Sequence, residues 1–370
     1  MLIDTTLREG AQTFGVYFRA EARRRVVAGL MDLGVEEIEL GWVGQEGLGD
    51  LLAWARRRAG AAALSLWSPC REPDVRRAAA LGADRVNLGL PVSDAHLRLR
   101  LGLDRAGLLA RARGVVAAAR AAGLGYVSVG LEDVSRADRA FALEAARAAL
   151  EAGACRIRLS DTAGVLAPWE AADLAADFRR GLGPGAALAV HCHDDFGMAT
   201  ANACSALHAG ADFADGSLLG LGERSGIAAT EELAAHLALR RGRGYRLAGL
   251  RGLCAFLAEA AGVPLSRIKA VAGRDVFASE TGLHVQALED SAVLFEPYAP
   301  AMLGAERTVA LGGKSGRGAV RQAARRLGVV LEGSALEAAV RAVRDRAEVL
   351  GRPLTLDELS GLLGAPRAAG

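Results

Sequence analysis

Short apolar runs alternate along the chain with longer stretches in which apolar residues recur every three or four positions. The first pattern predicts buried strands and the second amphipathic helices. The predicted strands are Leu2–Thr5, Glu36–Leu40, Ala63–Trp67, Arg85–Leu88, Tyr126–Gly130, Arg156–Ser160, Ala186–His191 and Phe213–Ser217. Helical patterns lie near Glu21–Leu33, Gln45–Ala59, Pro73–Leu81, Arg105–Ala122, Ala137–Ala152, Pro168–Gly181, Ala199–Ala209 and Ala228–Arg240. Gly34 and Gly82 follow two of these helices, where a left-handed stop is expected. Eight strand–helix units in roughly 240 residues predict an α/β fold of the (β/α)8 TIM-barrel type, not an open doubly wound sheet. No GxGxxG follows the first strand, which also disfavours a dinucleotide-binding fold.

The pattern changes after Gly242. Tyr245–Gly262 and Pro264–Gly273 read as short helices, Val276–Gly316 as an irregular Gly- and Pro-containing stretch, and Arg317–Leu363 as a helical region. We expect a catalytic barrel over residues 1–242 and a mostly helical C-terminal extension over 243–370. Residues 276–316 would form a lid that carries the lone His284.

Of the 370 residues, 51% are hydrophobic, enough for a sizeable core. The 45 basic and 43 acidic residues leave a formal charge of +2, which argues against nucleic acid as a partner. Five scattered cysteines without a CxxC pair suit a reduced, cytoplasmic chain. The chain runs from Met1 directly into a strand without a basic leader, and no apolar run reaches membrane-spanning length.

Candidate chemistry gathers at predicted strand ends. His191 and His193 close the seventh strand, and alternation points both imidazoles the same way. Arg8 and Glu9 follow the first strand, so all four belong to the C-terminal face where barrel enzymes keep their catalytic groups. Glu9, His191 and His193 make a carboxylate–imidazole set for Mn2+, Mg2+ or Zn2+ with open positions. Such an ion polarises a ketone, and the Arg8 fork suits a carboxylate or a growing oxyanion. Glu132, Thr162 and the Gly220–Gly226 loop add polar groups or close backbone to the same face. Cys192 falls out of phase with the histidines and is not counted as a ligand. Arg98 or Arg100, after the fourth strand, could face a distal substrate carboxylate; a solvated helix face is the plainer alternative.

Asp4-Thr5-Thr6-Leu7-Arg8-Glu9-Gly10-Ala11-Gln12 and His191-Cys192-His193-Asp194-Asp195-Phe196-Gly197-Met198-Ala199-Thr200-Ala201-Asn202 resemble the two signatures of the homocitrate/isopropylmalate synthase family, in the DRE-TIM metallolyase group. Gly220–Gly226, Gly282-Leu283-His284-Val285 and Leu311–Arg317 resemble its later blocks. Val127–Arg136 and Asp161–Gly164 are most similar to short bacterial homocitrate synthases. The resemblance implies a Claisen-type condensation of acetyl-CoA with a 2-oxo acid, first 2-oxoglutarate giving homocitrate. Oxaloacetate (a Re-type citrate synthase) and then pyruvate (a citramalate synthase) are the alternatives. It implies metal binding by Glu9, His191 and His193, and ketone stabilisation by Arg8. Gln12, Thr162 and Arg98 would bind substrate. Proton transfer would fall to Glu132 and His284, the latter from the partner of a homodimer with swapped lids. Leucine feedback is not expected, because the family's regulatory domain is missing. Ala11, Trp42, Gln286 and Phe295 depart from the family pattern and bear on substrate choice, Trp42 by reshaping the pocket. A metal-free scaffold relative is the non-enzyme alternative.

Overall fold

The computed structural model describes residues 1–58, 60–280 and 294–364. It divides into two compact units, Met1–Leu265 and Ser266–Gly370. In the first, eight parallel strands close into a barrel in sequence order. They are β1 (Leu2–Asp4), β2 (Glu37–Trp42), β3 (Ala63–Pro69), β4 (Arg85–Pro91), β5 (Tyr126–Glu132), β6 (Arg156–Asp161), β7 (Ala187–Cys192) and β8 (Phe213–Gly216). β1 pairs with both β2 and β8, which completes the ring. The helices after each strand are α1 (Ala20–Leu33), α2 (Leu48–Arg56), α3 (Glu72–Leu81), α4 (Arg105–Ala121), α5 (Arg139–Glu151), α6 (Pro168–Leu182), α7 (Ala199–His208) and α8 (Thr230–Arg241). The TIM barrel read from periodicity is therefore present, with ends shifted by a few residues.

Local chemistry sets several of those ends. Asp104 and Asp138 accept the backbone N–H groups of Gly107 and Phe141, capping α4 and α5. Gly34 (φ 89°) and Gly82 (φ 75°) take the left-handed conformation that ends α1 and α3. Outward strand residues such as Ile38, Leu40, Val86, Val127, Val129 and Ile157 are wholly buried beneath the helices.

The inward face is polar and charged. Glu37 on β2 accepts from Arg156 Nη1 (2.8 Å) and Nη2 (3.0 Å) on β6, and both side chains are fully buried. Arg85 Nη1 donates to Glu37 at 2.7 Å and Asn87 Nδ2 at 3.1 Å. Arg156 also reaches Asn87 Oδ1 (2.8 Å) and Ser128 Oγ (3.1 Å), and lies 5.0 Å over the Phe213 ring. Two residues further along the same strands, Glu39 and Arg158 make a second layer. Burial alone would raise Glu37, but Arg156 and Arg85 hold it well below the usual carboxylate range.

Past Gly242 the first unit continues to Leu265 and includes α9 (Leu250–Ala261). A Cβ at Gly29 on α1 would lie 2.6 Å from the Leu253 methyls, and Arg25 sits 3.8 Å over the Phe256 ring. Pro264–Gly273 forms turns, not a helix. Val271 there is left-handed (φ 66°), and a Cβ at Gly273 would come within 2.5 Å of the Arg267 carbonyl. In the second unit, α10 (Arg317–Arg326), α11 (Gly333–Leu350) and α12 (Leu356–Leu363) bury Val320, Leu336, Val343 and Leu359 together. No described helix is long and apolar enough to cross a membrane.

Arg156→Met alone should destabilise the protein by about 3–5 kcal/mol, because it leaves Glu37 buried without its main counter-ion. Adding Glu37→Gln should recover much of that loss in chemical denaturation; equal losses in the single and double variants would refute the pairing. Asp4 behaves oppositely. Burial raises its carboxyl to about 6, although it accepts from Thr230 Oγ1 at 2.7 Å and Thr6 N at 2.9 Å. The fold favours its protonated form, so this contribution is present in acid and lost as pH rises through about 6. Relative to Asp4→Asn, the wild type should therefore lose thermal stability between about pH 4 and about pH 7, and a constant difference would contradict it.

Candidate active site

The loop after β1 is wound tightly over the barrel mouth. Arg8, Glu9 and Gly10 all donate backbone N–H groups to the Thr5 carbonyl, at 3.0, 2.7 and 3.2 Å. Thr6 Oγ1 accepts from Leu218 N at 2.8 Å, tying this loop to the one after β8. The Gly-rich β8 loop must come close: a Cβ at Gly226 would fall 1.9 Å from the Gly220 carbonyl, and one at Gly222 3.2 Å from Glu9 Cγ. Glu9 Oε1 accepts from Glu223 N at 3.3 Å.

Against this loop stand the two histidines. His191 ends β7 facing inward, and an isolated bridge from His193 to Ile227 holds the next turn. His191 Nδ1 lies 2.9 Å from Asp215 Oδ2, which directs its Nε2 lone pair at the mouth. The two Nε2 atoms are 3.4 Å apart, and His191 Nε2 is 4.0 Å from Glu9 Oε2. One ligand atom each from Glu9, His191 and His193 lies within 4.8 Å of the others, and all three residues are buried. Burial and the neighbouring His191 push the His193 imidazole down to about 3, so it is neutral and able to ligate. Burial opposes ionisation of Glu9, but Arg8 and the imidazoles outweigh it and hold the carboxyl at about 2. A carboxylate held by Arg8 and Glu223 N, with two buried imidazoles of which His191 is oriented by Asp215, fits a divalent ion.

A cavity of about 160 Å3 opens beside this cluster. Arg8 lines it and donates from Nε to Glu39 Oε2 at 2.6 Å, from Nη1 to Glu9, and from Nη1 to Gln12 Oε1 at 3.4 Å. Gln12 thereby joins the lining. Thr162 Oγ1 accepts from Asp133 N at 2.9 Å, which leaves its hydrogen free for a ligand in the cavity. Glu132 accepts from Arg100 Nη1 at 2.7 Å across Gly89, where a Cβ would lie 2.1 Å from the carboxylate. Asp161 caps the turn after β6 through Val165 N and Leu166 N. Arg224 clamps three loops by donating to Asp195 twice at 2.8 Å and to the Thr162 carbonyl at 2.7 Å.

Several expectations resolve here. Arg98 does not line the cavity; its Nε turns back to the Asp94 carbonyl at 3.4 Å, on the solvent side. Leu97–Leu101 is a π-helical turn, in a stretch with no helix range read from the sequence, and it brings Arg100 to the mouth instead. Trp42 does not shape the cavity either. It is half exposed and folds over Gly44, and Trp67 from β3 supplies the aromatic wall. His284 and Gln286 lie outside the described residues, and Phe295 belongs to the second unit. Glu39, Asp215, Arg158 and Ser160 were missed. The signal for Glu39 and Arg158 was like charges two apart in short strands, Glu37/Glu39 and Arg156/Arg158; Asp215 and Ser160 carried no such signal.

His191→Ala should abolish stoichiometric Mn2+ uptake in calorimetry while cooperative thermal unfolding is retained. Asp215→Asn should keep the site but weaken metal binding by ~10–100-fold, since the anion orients the ligating ring. Undiminished affinity in both would remove the metal centre.

The HMGL-like family model matches residues 1–253, and the model described as homocitrate synthase post-HMGL domain-like matches residues 271–350. A homocitrate synthase from Frankia alni is 40% identical over 332 residues, covering 88% of this chain and 93% of the relative. A 2-isopropylmalate synthase 2 from Caldanaerobacter subterraneus is 34% identical, covering 97% and 93%. A 2-phosphonomethylmalate synthase from Streptomyces rubellomurinus is 35% identical, covering 97% and 96%. The solved hydroxymethylglutaryl-CoA lyase from Pseudomonas aeruginosa superposes with a TM-score of 0.63 at 22% identity, over 71% of this chain and 93% of that one, and shows the shared fold. With the barrel and its carboxylate–histidine cluster in place, the chain belongs to the HMGL-like DRE-TIM family, as an enzyme of its homocitrate, isopropylmalate and citramalate synthase acyltransferase group.

Proposed function

We propose that the protein condenses acetyl-CoA with 2-oxoglutarate and water to give homocitrate and CoA, in a metal-dependent Claisen-type reaction. The observation that carries this reading is the buried Glu9–His191–His193 cluster beside Arg8, in a chain similar to a homocitrate synthase over most of its length. Mn2+, Mg2+ or Zn2+ held by these three residues would polarise the ketone as a Lewis acid. Arg8, fixed by Glu39 and Gln12, stabilises the alkoxide oxygen that grows on that carbon. The Thr162 hydroxyl donates to the substrate 1-carboxylate, because its acceptor side is already used by Asp133 N.

Glu132 stands at the opposite wall, where it serves proton removal from the acetyl methyl group together with His284. Arg100 holds that carboxylate in place. The new C–C bond forms between the acetyl carbanion and the ketone carbon; hydrolysis of the thioester then releases CoA. In this reading His284 comes from the partner subunit of a homodimer, as the family resemblance implies. Oxaloacetate and pyruvate are the alternative acceptors on the same machinery.

The direct test is CoA-thiol release from acetyl-CoA with 2-oxoglutarate, oxaloacetate, pyruvate or 2-oxoisovalerate. We expect release with 2-oxoglutarate, lost on chelation and restored by Mn2+ or Mg2+. Release with only another acid would move the substrate assignment, and none with any acid would overturn the condensation.

A further inference from the structure

Three arginines line the cavity, and two of them are well held. Arg8 bonds Glu39, Glu9 and Gln12, and Arg100 at the rim bonds Glu132. Arg158 is different. It is 3% exposed on β6, yet Nη1 and Nη2 both reach only Glu39 Oε1, each at the long distance of 3.3 Å. Its Nε lies 3.1 Å from Asp215 Oδ2 but off hydrogen-bond geometry, and it has no hydrogen-bond partner among the described residues. A guanidinium carries five N–H donors in a planar fork. Buried with so few good acceptors, it is an incomplete site for a carboxylate.

The space beside it is open for a specific reason. Gly130 on β5 faces Arg158 across the barrel register. A Cβ there would meet Arg158 Cδ and Ser160 Oγ at 3.8 Å and the Leu88 carbonyl at 3.4 Å, all ordinary contacts. Packing does not demand this glycine, and its missing side chain leaves the approach to Arg158 clear. Glu39 and Asp215 do not depend on Arg158 alone either. Glu39 keeps Arg8 Nε at 2.6 Å and Asn87 Nδ2 at 2.7 Å, while Asp215 keeps His191 Nδ1 at 2.9 Å. When the fork turns to a ligand, Glu39 stays paired with Arg8, and Asp215, whose Oδ1 has no hydrogen-bond partner among the described residues, keeps His191.

We propose that Arg158 receives the second carboxylate of a dicarboxylic 2-oxo acid, and that Gly130 keeps the path to it open. The proposal rests on the condensation reading and names its substrate class. In register, Ser160 pairs with His191 and Arg158 with Ala189, so the guanidinium is rooted one inward position deeper than the metal-ligand level, ~6.6–6.8 Å along the strand. An acid anchored near His191 by its ketone and 1-carboxylate extends a carboxylated tail into that depth. A methyl or ethyl tail would leave Arg158 unanswered.

The test uses the full chain loaded with Mn2+ and titrated calorimetrically with 2-oxoglutarate and with 2-oxobutyrate, beside kcat/KM for both acids. Arg158→Gln should weaken 2-oxoglutarate binding by about 100-fold and leave 2-oxobutyrate within about threefold. Arg158→Lys should recover part of the loss, since it restores the charge without the fork. Gly130→Val should disfavour 2-oxoglutarate while Arg158 is intact, and it keeps the test decisive if Arg158→Gln fails to fold. Equal loss for both acids, or 2-oxoglutarate binding indifferent to Arg158 and Gly130 in folded variants, would overturn the proposal alone. A wild type that binds neither acid would overturn the condensation reading and this one with it.

Discussion

Every polar group inside this barrel is arranged around the problem of burying charge. Glu37, Glu39 and Arg156 are fully removed from water, and Arg158, Arg8 and Asp215 nearly so. Each such ion loses several kcal/mol of hydration and is tolerated only with counter-ions and hydrogen bonds at close range. The barrel supplies them because strands on opposite sides project their inward side chains into one shared layer. Glu37 on β2 therefore meets Arg156 on β6, and two residues along the same strands Glu39 meets Arg158.

The second of these layers is also the support of the active site. Glu39 holds Arg8 by one oxygen and Arg158 by the other, while Asp215 orients His191 and lies beside Arg158. Cavity-lining groups and core ion pairs are thus one continuous network. Rigidity at the mouth does not come from the loops alone; it is passed up from side chains rooted in strands. A low-dielectric setting strengthens these contacts and makes an unmatched donor, such as Arg158 Nε, chemically conspicuous.

The relatives of this chain carry different synthase names, homocitrate, 2-isopropylmalate and 2-phosphonomethylmalate. Glu9 and His193 sit on loops clamped by backbone bonds and close glycine contacts, and His191 sits near the end of β7, which leaves little room for variation. The deeper wall between β5 and β6 is built from Gly130 and Arg158, and a Cβ added at Gly130 would meet only ordinary contacts. The metal-ligand candidates and the Gly130–Arg158 wall thereby occupy different levels of one cavity.

The chain's own periodicity determined the barrel, because apolar strands and amphipathic helices bury their surface in few ways. Its signatures likewise determined Arg8, Glu9, His191 and His193, which are near one another in sequence or fall at strand ends. Other features depended on residues far apart in sequence. Glu39, Arg158 and Asp215 read singly as charges in short strands, and only ring closure brings them together. Whether Arg98 or Arg100 reaches the mouth turned on a π-helical turn that residue spacing does not announce. Trp42 read as reshaping the pocket, but packing puts it over Gly44 and places Trp67 beside Arg8 instead. Local pattern decides which face of an element is buried; which charges then share that burial is a property of the closed ring, because their interaction falls off over a few ångströms that only tertiary structure sets.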